Sequence, residues 1–102
     1  MHRVVNVFMF EQKAGELLQD DNIYTFQYVD QYVGPPISLS MPVRREPYIS
    51  DGLHPYFKSL APEGWLKRIY SHQQKIDEKD LLGLLIENGE NLLGAIQIRR
   101  EV

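Results

Sequence analysis

Val4, Val5, Val7, Phe8 and Phe10 open the chain as a run of β-branched and aromatic residues that ends at Lys13-Ala14-Gly15. A run of this kind predicts a strand. A short second strand is expected over Gly15 to Leu18, with the polar stretch Gln19-Asp20-Asp21-Asn22 as the turn after it. From Ile23 to Val29, Tyr24, Phe26 and Tyr28 alternate with Thr25 and Gln27. Alternation with a period of two is the mark of a strand with one buried face. Gly34-Pro35-Pro36 forces a break, Ile37 to Met41 alternates again, and Pro42 closes that stretch because proline cannot donate to a sheet ladder.

From residue 50 the spacing becomes helical. Ser50 or Asp51 can cap a short helix carrying Leu53, Tyr56, Phe57 and Leu60, with Pro55 tolerated only in its first turn. A second helix is expected to start near Pro62, a favoured residue at the first helical position, with Glu63 suiting the positive end of the dipole. Leu66, Ile69, Tyr70 and Gln73 define its expected main face, with Trp65 on the flank. A third helix should follow Asp77 as cap, carry Leu81, Leu82, Leu84, Leu85 and Ile86, and stop at Asn88-Gly89 in a left-handed terminus. A last strand is expected from Leu92 to Ile98, ahead of a soluble tail of Arg99, Arg100 and Glu101. Strands, helices and a final strand in this order predict an α+β fold: a small, mostly antiparallel sheet with about three helices packed on it.

At 102 residues the chain has the length of a single domain, 1–102, with a modest core. Eleven Lys and Arg against fourteen Asp and Glu give a net charge of −3, which is not the electrostatic footprint of a nucleic-acid binder. Arg44-Arg45 and Lys67-Arg68 are local basic spots and read as solvated faces. The absence of cysteine excludes disulfide scaffolds, zinc fingers and thiol chemistry, and it fits a cytoplasmic setting. The N-terminal apolar run, broken by Asn6, is too short for a signal peptide or a membrane span.

No reactive constellation stands out along the chain. Gly89 to Gly94 has the glycine spacing of a phosphate loop, but Ala95-Ile96 stands where Lys-Ser/Thr should be, and a strand rather than a helix follows. The simpler account is a helix stop and a strand start where backbones pack closely. His2, His54 and His72 form no metal-ligand pair. Asp77, Glu78 and Asp80 suit a helix start better than acid–base work. No Gly-x-Ser-x-Gly elbow and no kinase signature is present. No catalytic residue, cofactor or metal is therefore expected, and a binding role is favoured over an enzyme.

Three stretches in register carry a family resemblance. Residues 36–43, PISLSMPV, resemble the PLSLSLP segment of HipA-type serine/threonine kinase toxins. Phe57 to Leu66, FKSLAPEGWL, resembles their F-x-x-L-L-P-E-G-W/D segment, and Leu85 to Ile96 resembles their G-x-D-x-x-G-A-L ending. The resemblance runs from the first strand to residue 98 and fits the N-terminal subdomain of those toxins. A free-standing copy is similar to the HipS-type antitoxins of three-component HipBST systems, in which a small protein supplies this subdomain in trans. The resemblance implies an antitoxin that neutralises a HipA-like kinase by direct contact, with a HipB-like helix-turn-helix protein in the same complex. It implies no catalytic residue here. Alternatives are an N-terminal regulatory fragment of a longer HipA-like toxin, or a small-ligand-binding protein marked by a deep polar pocket. For a docking subunit, the expected contact residues are Pro62, Glu63, Gly64, Trp65, Lys67, Arg68 and Tyr56, on an exposed apolar patch from Ala61 to Tyr70 with Tyr48 and Tyr56. Trp65 has two readings, an indole folded over the core or a partner anchor; tryptophan is enriched among binding hot spots.

Overall fold

The first strand, β1 (His2–Met9), turns back on itself through a two-residue connection and pairs antiparallel with β2 (Gln12–Asp20). Phe10 and Glu11 both take positive φ, 51° and 65°. This is the backbone twist that tight hairpins demand, adopted here without glycine or asparagine. It explains why the expected boundary at Lys13-Ala14-Gly15 gives way to one continuous strand through that stretch. A register shift between Val7 and Phe8 accommodates it.

The structure is a computed structural model that describes residues 2–61, 64–89, 92 and 95–100, with the backbone alone described for 64 and 65. Among the described residues β3 (Ile23–Tyr28), β4 (Tyr48–Asp51), α1 (Pro55–Leu60), α2 (Gly64–Gln74), α3 (Leu81–Glu87) and β5 (Ile96–Arg100) follow in that order. The sheet order is β4-β3-β2-β1-β5, with every described pairing antiparallel. The α+β expectation holds.

Several local expectations do not. The stretch Ile37 to Met41 is no strand; it makes a single bridge, Ser38 to Met41. Its alternation reflects a loop that buries Ile37 and Met41 and leaves Leu39 exposed. Tyr28 draws this loop in, its hydroxyl accepting from the Ile37 amide at 3.0 Å and donating to the Met41 carbonyl. Ser50 and Asp51 do not cap a helix: they end β4, and His54 stands at the N-cap of α1, with Leu53 outside the helix. Asp77 opens only a turn, accepting from Lys79 N at 2.9 Å, while Asp80 caps α3 by accepting from Gly83 N at 3.1 Å. The final strand begins at Ile96, so Arg99 and Arg100 belong to the sheet.

Alternation sorts the sheet into two faces. Val5, Val7, Leu17, Phe26, Tyr28, Ile96 and Ile98 point inward and meet Phe57, Leu82 and Leu85 from the helices. Phe26 sits at the centre, edge-on to Tyr28 at 4.9 Å and tilted against Phe57 at 5.6 Å. Arg3 holds β1 to the cap of α3 through a two-bond pair with Asp80, 2.7 and 3.1 Å, while its Nε donates to Gln19 at 2.7 Å.

At the end of α3, Asn88 has φ −112°, so the expected left-handed terminus does not form there. Gly89 has another reason to be glycine: a Cβ would overlap the Ile98 carbonyl. The two backbones touch, with Ile98 N donating to Gly89 O at 3.1 Å.

Candidate protein-docking surface

A helix that serves the core places its apolar stripe against it. Helix α2 does the reverse. Its half-buried residues are Lys67, Tyr70, Ser71 and Gln74, while Leu66, Arg68, Ile69, His72 and Gln73 are exposed. The helix is moored by polar bonds. Gln74 and Asn88 exchange side-chain amide bonds at 3.0 and 3.2 Å, and the Ser71 hydroxyl donates to the Ile76 carbonyl. The expected core-ward face of Leu66, Ile69, Tyr70 and Gln73 is therefore corrected: Tyr70 alone of the four is turned partly inward, and Leu66 and Ile69 are each 36% exposed.

That rotation relocates Trp65. At roughly 100° per residue, position 65 lies about 170° from the mean direction of Lys67, Tyr70, Ser71 and Gln74. Its backbone is thus at the middle of the outward face, in line with Arg68, Ile69 and His72 at three, four and seven residues onward. The expected flank position holds only where apolar residues mark the buried side, and in α2 they do not. Pro62 and Glu63, and the side chain of Trp65, lie outside the described residues; Gly64 is the first residue of α2. Neither Lys67 nor Arg68 has an ion-pair partner among the described residues, and Arg68 borders a shallow groove with Ile69, His72 and Gln73.

Tyr56, the remaining expected contact residue, lies on α1 beside Phe57, ring centroids 5.3 Å apart. It is half-buried and borders a separate pocket with Met41, Tyr48, His54 and Pro55. Arg44 is committed to its own loop, stacked on Tyr48 at 3.6 Å and donating to the Glu46 and Pro47 carbonyls.

Sequence reasoning missed a second exposed apolar surface. On the outer face of the sheet, Ile49, Thr25, Leu18 and Val4 are successive cross-strand partners and form one row over four strands. Ile49 is 68% exposed and Leu18 41%. Reading it required strand register, which residue spacing alone does not give. Among the described residues no group of three or more His, Cys, Asp or Glu is placed to hold a metal ion, and no helix is long and apolar enough to cross a membrane.

The family model for the HipA N-terminal domain matches residues 5–99. The chain belongs to the HipA N-terminal domain family. This family domain is non-catalytic. A solved structure described as the N-terminal domain of HipA toxin superposes with a TM-score of 0.81 at 43% identity, covering 100% of this chain and 95% of that one. An uncharacterised protein of Haemophilus influenzae is 48% identical over 95 residues, 93% of this chain and 90% of its own length. Y4mE of Sinorhizobium fredii, a protein named as a kinase, is 27% identical over 104 residues, 97% of this chain and 25% of its own length.

Proposed function

We propose that this HipA N-terminal-like chain is a HipS-type antitoxin: a non-enzymatic subunit, acting as one domain in the cytoplasm, that neutralises a HipA-like serine/threonine kinase by direct contact. The observation that carries this reading is the inverted amphipathicity of α2. A helix that turns Leu66 and Ile69 outward and moors itself through Ser71 and Gln74 leaves apolar surface for another chain to cover. Trp65 is the anchor at the centre of that face. Pro62, Glu63 and Gly64 adjoin it in the chain as further contacts, Lys67 and Arg68 offer charge that has no ion-pair partner among the described residues, and Tyr56 adds a contact from α1. A HipB-like helix-turn-helix protein completes the complex and carries any contact with DNA.

Co-expression with the kinase, followed by co-purification, is the test. Trp65→Ala is expected to leave the thermal melt close to wild type and to weaken kinase binding by about 2 kcal/mol or more, roughly thirtyfold, the loss typical of a buried tryptophan hot spot. A large fall in Tm with kinase binding unchanged once folded would return Trp65 to the core. Persistent growth arrest with no complex would end the reading altogether.

The match to a quarter of Y4mE favours one alternative, in which the same face packs in cis as the N-terminal regulatory segment of a longer HipA-like toxin. The length of the encoding open reading frame separates the two.

A further inference from the structure

The outward face of α2 is divided along its length. At roughly 100° per residue, Ile69, Gln73 and Leu66 lie about 30°, 70° and 90° to one side of its outward direction. His72 and Arg68 lie about 30° and 70° to the other side. All five are exposed. One stripe is therefore apolar to neutral and the other basic, and Lys75, exposed just past the helix end, extends the basic one. A shallow groove of about 330 Å³ is bordered by both, with Arg68 and His72 from the basic stripe and Ile69 and Gln73 from its neighbour.

The sign of this charge runs against the rest of the chain. Residues 64–75 hold three of the eleven Lys and Arg and no Asp or Glu; the remaining chain holds the other eight against all fourteen acids. A surface that serves solubility alone intersperses both signs. A single-sign stripe sets up a field that guides and orients an oppositely charged partner. Among the described residues no carboxylate of this chain pairs with Arg68. Nucleic-acid phosphates would meet the cations but offer nothing apolar to Leu66 and Ile69. An acidic protein surface with apolar residues beside its carboxylates meets both stripes.

We propose that the α2 groove seats an acidic ridge of the kinase partner, with the aliphatic stem of a Glu or Asp on Ile69 and its carboxylate facing Arg68 and His72. This rests on the docking role proposed above and names the chemistry required on the other side.

Stopped-flow association with the purified kinase tests it, from about 50 to about 500 mM NaCl, over which the Debye length shrinks to roughly a third. The association rate is expected to fall about tenfold or more, with dissociation little changed. At the low-salt end Arg68→Glu should slow association about tenfold, while Arg68→Lys, which keeps the charge, stays within about threefold of wild type. Arg45→Glu makes the same change in net charge on the exposed loop before β4, and should also stay within about threefold. If Arg68→Glu fails to fold, the wild-type salt series decides alone. Association that ignores salt, or that slows equally for Arg68→Glu and Arg45→Glu, overturns the acidic ridge and leaves docking through α2 standing. No complex at any salt ends the antitoxin reading and the ridge with it. Salt-sensitive binding of duplex DNA by the isolated protein, lost in Arg68→Glu, would assign the basic stripe to phosphates and overturn the proposal.

Discussion

Asp80 does two jobs with one carboxylate. It caps α3 by accepting from Gly83 N, and it receives both guanidinium nitrogens of Arg3, 77 residues earlier in the chain. The hydrogen bond from Arg3 is the first reason its pKa falls below the ordinary 3.8, with the Gly83 amide and the Arg3 charge adding to it and partial burial opposing. A depressed carboxylate stabilises the fold while ionised. The contribution is therefore full above the unfolded value near 3.8 and is lost as pH falls through the lower folded value. Asp80→Asn keeps a capping side chain but removes the charge that Arg3 meets, and is expected to cost about 1 kcal/mol near neutral pH, the upper end for a partly exposed ion pair. Urea melts from pH 6 down to pH 2 should show the gap between variant and wild type closing at the acid end. An acid profile identical in both proteins would remove Asp80 from the stability account. Asp80 was legible in the sequence as a helix-start carboxylate. That it and not Asp77 makes the cap was not, because a distant arginine chooses between them.

At the scale of elements, Gly89 sets how closely α3 approaches β5. Gly89→Ala puts a methyl group into the Ile98 carbonyl, and overpacking of this kind costs about 1–3 kcal/mol. Chemical denaturation should show the loss, with the amide of Ile98 losing protection in hydrogen exchange. Retention of wild-type stability would mean that the two backbones part freely. The glycine was visible in the sequence as a helix stop and close-packing point; the strand it touches was not, because contact between distant segments leaves no periodic trace. The three central strands and three helices were legible for the opposite reason, since local spacing writes them. The same spacing misled at Ile37 to Met41, where a tyrosine hydroxyl takes the bonds a strand partner would have taken, and at α2, where apolar residues mark the surface.

At the scale of the whole molecule, two apolar surfaces stand uncovered among the described residues, on different layers: the outward side of α2 and the outer row of the sheet. Only the first belongs to an element that reverses the usual orientation, and only there does the segment around Trp65 stand. Ile69→Asp is therefore expected to abolish kinase capture. Leu18→Lys, in the middle of the sheet row, should leave affinity within about twofold and stability within about 0.5 kcal/mol, as for an exposed substitution away from the interface. Paired pull-downs and thermal melts of the two variants decide between the surfaces. Capture lost with Leu18→Lys and kept with Ile69→Asp would move the docking site to the sheet.

The order of strands has a consequence for synthesis. β1 is made first yet lies inside the sheet, between β2 and β5. During translation it can zip to β2 within the first twenty residues, but its other edge waits for residues 96–100. Until those emerge, the Val5 to Met9 edge of the nascent chain carries unpaired peptide groups that any extended strand could join. Completion of the last strand, and not collapse of the hairpin, is the moment at which a newborn copy becomes safe from its neighbours on the same message.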